Sequence, residues 1–185
     1  QSLLSHTCHT ASSLHHHSGW INNVRTGSFS CQGNHIKANS KLVAFNTEQA
    51  GGGMLGLSSV KPGSDGQWTV AQISCHSDLV TDMDFSPFDE HLLATCSADE
   101  MVKLWRLCDP EQEQPGSPEL TLRPGRGRLE VVHFHPTSSG LLAISTAKSP
   151  LIWDISCQDA PLAGIYSWQH GLHVSHSFVF VYSSN

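Results

Sequence analysis

Short apolar runs that alternate with turn residues occupy most of the chain after position 20. Between positions 20 and 75 the runs are Leu42–Phe45, Met54–Leu57 and Trp68–Val70, and the breaks include Gly51–Gly53 and Pro62–Gly66. Runs of this length, bounded by Gly, Pro, Asp and Ser, are typical of β-strands joined by tight turns. The three consecutive glycines indicate a turn that needs positive φ or a close backbone approach. This part of the sequence therefore predicts a meander of strands.

The pattern recurs twice in a form that repeats along the chain. Residues 76–107 contain three apolar runs and two turns, and residues 129–153 contain a similar unit. Aligning the two units places Leu92-Leu-Ala94 on Leu141-Leu-Ala143 and Leu104-Trp105 on Ile152-Trp153. The period is about 48 residues, slightly above the ~40–45 residues typical of some propeller blades. The sequence therefore predicts an all-β fold, an incomplete β-propeller with about two blades and additional opening strands.

The chain divides into six predicted segments. They are a disordered tail (1–19), an opening segment with strands (20–75), a first blade (76–108), an inter-blade loop (109–128), a second blade (129–157) and a divergent C-terminal end (158–185). The tail is rich in Ser and His and has no period, and the loop is rich in Pro, Gly and Glu. Composition alone supports these two assignments.

Four residues of the first blade can form one hydrogen-bonded chain. Asp99 lies in the turn between two predicted strands, where its carboxylate can accept hydrogen bonds from turn amides and from an imidazole. His76 can donate to Asp99 and contact the Thr95 hydroxyl, which can accept from the Trp105 indole. This set resembles the structural tetrad of WD-repeat blades. We expect the four side chains to hold the blade together, and an acid–base role for His76 and Asp99 is the alternative.

The second blade lacks most of this set. Counted back from Trp153 at the spacing seen before Trp105, Ala143 and Ala147 stand at the hydroxyl and Asp positions, and no His stands at the start of the unit. The blade does carry the WD dipeptide itself, as Trp153-Asp154. We expect it to rely on apolar packing against its neighbours.

Composition and charge narrow the function classes. The net charge is −6 with 10 Lys and Arg, which argues against binding nucleic acid through its phosphates. The 6 cysteines form no CxxC pair, a pattern that indicates reduced thiols in a cytoplasmic protein. No run approaches the ~20 apolar residues of a transmembrane segment, and the tail does not read as a signal peptide.

Candidate metal and catalytic chemistry is sparse. His133 and His135 can share one face of a strand, but no third ligand at metal spacing accompanies them. The three histidines His15–His17 lie in a polar tail, where such a run is more often incidental than a metal site. The sequence contains no nucleophile elbow, phosphate-binding loop or dinucleotide fingerprint. We therefore predict no catalytic residue, no metal and no cofactor.

Several segments carry a more specific resemblance, which extends from about Trp20 to Leu162. They are Trp20-Ile-Asn-Asn-Val-Arg25, Asn34-His-Ile-Lys37, Leu42–Asn46, Met54–Leu57, His76–Thr95 and Val102–Leu107. Together they resemble the opening segment and first full blade of the coronins. Within that family the resemblance is greatest to the long members that have two propellers in tandem.

The resemblance implies a function as well as a fold. Coronins are seven-bladed WD-repeat propellers that bind actin filaments or their regulators, and Arg25 matches the arginine of their filament-binding surface. The long members imply a cytoplasmic protein associated with Golgi membranes and vesicle traffic. A WD-repeat adaptor of another class, such as a ubiquitin-ligase substrate receptor, is the alternative.

Overall fold

The computed structural model describes residues 21, 24, 33–147, 149–157 and 161–164, and for 163–164 the backbone only. Twelve strands are present in this part of the chain, and none of its residues is helical. The strands form three four-stranded antiparallel sheets, each a simple meander in chain order. This confirms the predicted all-β, WD40-type propeller architecture, and the three described sheets do not close a ring.

The first sheet contains the four strands of the opening segment. Their bounds are β1 Ile36–Ala38, β2 Leu42–Asn46, β3 Met54–Ser59 and β4 Val70–Ser74. Phe45 of β2 pairs with Gly56 of β3, and the Phe45 ring covers that glycine. A Cβ at position 56 would lie 2.3 Å from Phe45 Cε2, so only glycine leaves room for the ring. The opening segment is thus a complete sheet, and not only strands added to a neighbour.

The other two sheets follow the same plan. The second has strands β5 Val80–Phe85, β6 Leu92–Ser97, β7 Val102–Arg106 and β8 Leu120–Leu122. The third has strands β9 Leu129–Phe134, β10 Leu141–Thr146, β11 Pro150–Asp154 and β12 Ala163–Gly164. Each sheet therefore adds a fourth, outer strand to the three that the repeat predicts.

Two of these outer strands lie in segments for which the sequence predicts no strand. Strand β8 lies inside 109–128, which was predicted to be a loop, and it pairs with β7 through Leu104 and Leu120. Leu122 is fully buried there, so a run of only three residues is ordered by burial of its apolar side chain. Strand β12 lies inside the C-terminal end predicted as divergent, where Ala163 pairs with Ile152 of β11.

The second sheet is covered on both faces, which explains its nearly continuous apolar strands. Leu93 belongs to a core shared with the first sheet, whereas its neighbour Ala94 belongs to a core shared with the third. Successive residues of a strand point to opposite faces, so β6 must be apolar at both kinds of position. Trp105 and Leu104 of β7 divide between the two cores in the same way.

The glycine run ties the first sheet to the start of the second. Gly51 and Gly52 have φ values of 87° and 68°, and the Gly53 carbonyl accepts hydrogen bonds from the amides of Cys75 and His76, each at 3.0 Å. A Cβ on Gly53 would lie 2.0 Å from the His76 carbonyl oxygen. The prediction of positive φ or close backbone approach is confirmed in both forms.

Candidate functional site: the polar network of the second sheet

Three local elements bring the four tetrad residues together. His76 lies in the connection between β4 and β5, Asp99 lies in the turn between β6 and β7, and Thr95 lies on β6. Trp105 lies on β7 opposite Leu93, two positions along β6 from Thr95. Because alternate residues of a strand share a face, the indole and the hydroxyl lie on the same side of the sheet.

The four side chains form an unbroken series of hydrogen bonds. His76 Nδ1 lies 3.0 Å from Asp99 Oδ2, and His76 Nε2 lies 2.8 Å from Thr95 Oγ1. The Trp105 indole donates to Thr95 Oγ1 at 3.2 Å. An imidazole protonated on Nδ1 satisfies the series, since it donates to Asp99 and accepts the Thr95 hydroxyl proton at Nε2.

Backbone amides complete the carboxylate's coordination. Asp99 Oδ2 accepts from the Ser77 amide at 3.1 Å, and Asp99 Oδ1 accepts from the Met101 amide at 3.1 Å. The following residue, Glu100, closes the turn with a φ of 69°, in the left-handed region. The Asp99 carboxylate therefore accepts one amide hydrogen bond from the β4–β5 connection and one from its own turn.

Burial and charge fix the protonation of this network. Burial lowers the pKa of the His76 imidazole, and this outweighs the opposite effect of Asp99, so the imidazole is neutral at pH 7. For Asp99, burial alone raises the pKa of the carboxyl. The hydrogen bond and charge of His76, with the Ser77 and Met101 amides, outweigh burial and hold that pKa well below its usual range.

The network is closed to solvent, which limits its chemistry. Thr95 is fully buried, Trp105 is 1% exposed, and the side chain of His76 has no exposed surface. A general acid or base must reach the proton that it transfers, and these atoms already use their hydrogen-bonding capacity on one another. The geometry favours an interpretation in which the four residues hold β5, β6 and β7 in place.

The third sheet replaces this network with apolar contacts, but not at the residues indicated by the spacing before Trp153. Leu142 pairs with Trp153 as Leu93 pairs with Trp105, so the counterpart of Thr95 is Ile144 and not Ala143. The predicted Asp position, Ala147, shifts in the same way onto residue 148, outside the described residues. Ile144 is fully buried, and the Trp153 indole donates instead to the Cys157 carbonyl at 2.9 Å.

The predicted filament contact is not among the described residues. Arg25 and Trp20 lie outside them, and the described neighbour, Val24, forms an isolated antiparallel bridge with Thr47 at the end of β2. The role of Arg25 therefore stays a prediction.

Two carboxylates that the sequence did not single out lie where the second sheet contacts the other two. Asp82 and Asp84 belong to β5, and Asp82 has no exposed surface. Aspartate is rarely buried unless it is paired, so two of them within the predicted strand Val80–Phe85 were the available signal. His133, considered above as a metal ligand, pairs with Asp84 at 3.4 Å.

No group of three or more His, Cys, Asp or Glu side chains is arranged to hold a metal within the described part of the chain. Its residues include no helix with the length and apolarity to cross a membrane.

Comparisons with known proteins place this geometry in a family. A family model described as a domain of unknown function, DUF1899, matches residues 6–62, and a model of the WD domain, G-beta repeat, matches residues 67–106. Coronin-7 of Bos taurus and coronin-7 of Homo sapiens are each 43% identical over 150 residues, which is 81% of this chain and 16% of theirs. This chain therefore spans less than a fifth of the length of these relatives.

The fold comparison agrees with the sequence comparison. The WD40 domain of Toxoplasma gondii coronin superposes with a TM-score of 0.67 and 25% identity, covering 78% of this chain and 37% of that one. Villidin of Dictyostelium discoideum is 29% identical over 65% of this chain and 7% of its own length. Together with the blade network and the three meander sheets, these likenesses identify the chain as a coronin-type WD-repeat chain.

Proposed function

We propose that the chain acts as a non-catalytic scaffold that binds actin filaments or the proteins that regulate them. The observation that carries this proposal is that the similarity to coronin-7 covers 81% of the chain, a span that must include both the opening segment and WD-type blades. A WD blade alone is common to many adaptors, whereas the opening segment is more specific. The closed polar network of the second sheet supports the non-catalytic part of the proposal, since its imidazole and carboxylate are committed to each other.

Filament binding is assigned to the surface around Arg25. The chain has a net charge of −6, and actin filaments are acidic, so a general electrostatic repulsion opposes association. Binding then depends on local cationic groups, because exposed charges more than a Debye length apart, about 8–10 Å, act nearly independently at physiological salt. Arg25 is the residue that the resemblance assigns to this contact.

Co-sedimentation of the full chain with actin filaments tests the assignment. We expect saturable binding by the wild-type chain and a loss of about tenfold or more in affinity for Arg25→Ala. Arg123→Ala is the matched control, because Arg123 is an exposed arginine that directly follows β8. An equal loss in both variants, or none in either, would contradict the assignment.

A cytoplasmic location with Golgi-associated vesicle traffic is the second part of the proposal. It is supported by the likeness to coronin-7. The sequence resembles the long, tandem-propeller members of the family, and that resemblance implies association with Golgi membranes. A fluorescent fusion of the chain should colocalise with a Golgi marker in cells, and a purely diffuse distribution would contradict this part alone.

A further inference from the structure

Strands β1, β5 and β9 are the first strands of the three sheets. Side chains join them to one another, and no backbone pairing does so in the described part of the chain. In the described part of the chain each sheet pairs only within itself, and β9 is an edge strand with one partner, β10. The amides of Val132 and Phe134 point away from β10 and donate to side chains of β5. Val132 N lies 3.0 Å from Asp82 Oδ2, and Phe134 N lies 2.9 Å from Asp84 Oδ2. These two amides would otherwise be unpaired donors at a sheet edge.

The same carboxylates also accept from the first sheet. Asp82 Oδ1 accepts from the Asn34 amide at 2.7 Å and from the Asn34 side-chain nitrogen at 2.9 Å. Asp84 Oδ1 accepts from Lys37 Nζ at 3.1 Å. Each carboxylate therefore uses one oxygen toward the first sheet and the other toward the third. The partners advance together along β1, β5 and β9, so these three strands run in the same direction.

The backbone before β1 is shaped for this arrangement. A Cβ on Gly33 would lie 2.3 Å from the Thr81 carbonyl oxygen and 2.4 Å from Asp82 Cβ. Only glycine allows the chain to approach β5 so closely, and this approach delivers the next residue, Asn34, to the Asp82 carboxylate.

The two carboxylates differ in their electrostatic surroundings. Burial raises the pKa of the Asp82 carboxyl, although hydrogen bonds from Asn34 and Val132 act against it. Burial also acts to raise the pKa of Asp84, but the hydrogen bond from His133, the Phe134 amide and the charge of Lys37 outweigh it and lower that pKa. Asp82 is thus held chiefly by neutral donors, whereas Asp84 also forms an ion pair with Lys37.

We propose that Asp82 and Asp84 form an inter-sheet junction that sets the spacing and relative orientation of β1, β5 and β9. Each carboxylate supplies, from a side chain, the acceptors that a neighbouring strand would supply within one sheet. The two residues are positioning residues. Any partner surface built from more than one sheet depends on them without containing them.

Residue-resolved amide hydrogen exchange on the full chain tests the junction. In Asp82→Ala we expect exchange at Val132 and Asn34 to accelerate by about tenfold relative to amides within the β6–β7 ladder. In Asp84→Ala the acceleration should occur at Phe134 instead. Asp89→Ala is the matched control, because Asp89 lies just beyond β5 and bonds the exposed Arg106. It should change neither site.

A general loss of stability cannot produce this pattern, in which each substitution accelerates exchange at different amides. Uniform acceleration along β9 and β10, or unchanged rates at both Val132 and Phe134, would overturn the proposal. If an alanine variant does not fold, Asp82→Asn and Asp84→Asn replace it. Asparagine keeps one acceptor oxygen, so in Asp82→Asn exchange should rise at either Asn34 or Val132 but not at both. In Asp84→Asn the remaining oxygen stays on the Lys37 ammonium, so exchange should rise at Phe134. No rise at any of these amides would equally contradict the junction.

Discussion

The imidazole Nδ1 of His76 lies 3.0 Å from Oδ2 of Asp99, although 23 positions separate the two residues. The contact joins the β4–β5 connection to the β6–β7 turn, and through Thr95 it reaches the buried Trp105. A single substitution anywhere in this series leaves buried partners without a hydrogen bond, which makes the series suitable for quantitative tests.

Asp99→Ala should lower the free energy of unfolding by about 1–3 kcal/mol, because it leaves the His76 imidazole and two turn amides without their acceptor. The matched control is Glu100→Ala in the same turn. Glu100 has a positive φ. Because glutamate and alanine both carry a Cβ, the substitution leaves the backbone strain at this position unchanged. Urea denaturation measures both variants, and equal shifts would show that Asp99 has no special role.

Thr95→Val should also destabilise the chain, by about 1–3 kcal/mol, since valine keeps the shape but leaves His76 Nε2 and the Trp105 indole unpaired. Ile144 occupies the same position in the third sheet, and Ile144→Val removes only a buried methylene, at a cost of about 0.5–1.5 kcal/mol. The first substitution should cost more in thermal unfolding. A larger cost at Ile144 would contradict the assigned register or the network.

Stability should fall as the pH is lowered from 7.5 to 5. The pKa of His76 is lower in the folded chain than its unfolded value of about 6.5, so the folded state binds fewer protons. Its contribution is fully present above about pH 6.5 and is lost as the pH falls toward the folded pKa. Asp99 has a depressed pKa, so its contribution is lost only below about pH 3.9.

The variant His76→Gln isolates this effect from the other histidines. We expect the wild-type free energy of unfolding to decline more steeply between pH 7.5 and 5 than that of the variant. Parallel pH profiles for the two chains would mean that His76 titrates identically in the folded and unfolded states.

Gly53→Ala should destabilise the chain by about 1–3 kcal/mol, the usual range for an added group in a packed region. The new Cβ would meet the carbonyl oxygen of His76, which belongs to the backbone and cannot rotate away. Gly116→Ala is the control, because a Cβ there meets nothing within 4 Å and its φ is not positive. Thermal unfolding should show no loss for the control, and an equal loss would indicate only general sensitivity to Gly→Ala changes.

Local pattern made the strands and the tetrad predictable from sequence. Alternation and turn residues identify β5, β6 and β7, and once those strands pair, the spacing of Thr95, Asp99 and Trp105 follows from the period of a strand. The glycine run was equally readable, because positive φ and close approach are local demands that few other residues meet.

The remaining features depend on contacts that sequence pattern does not encode. Strand β8 is three residues long, and its order comes from burying Leu122 against its own sheet and the third one. The hydroxyl position was assigned to Ala143 by counting back from Trp153, but Trp153 follows Leu142 by one residue fewer than Trp105 follows Leu93. Because Ala143 and Ile144 are both apolar, the sequence pattern did not reveal this shift. The partners of Asp82 lie about 50 positions away in both directions, on or just before strands that do not pair with β5 in the described part of the chain.

The measurement that tests the account most directly compares filament binding and thermal stability in the same three chains: wild type, Arg25→Ala and Asp99→Ala. If the network stabilises the blade and Arg25 contacts the filament, one substitution should affect only filament binding and the other only stability. Arg25→Ala should lose filament co-sedimentation with an unchanged melting temperature, whereas Asp99→Ala, assayed well below its lowered melting temperature, should keep it. Loss of binding in Asp99→Ala with retention in Arg25→Ala would contradict the account.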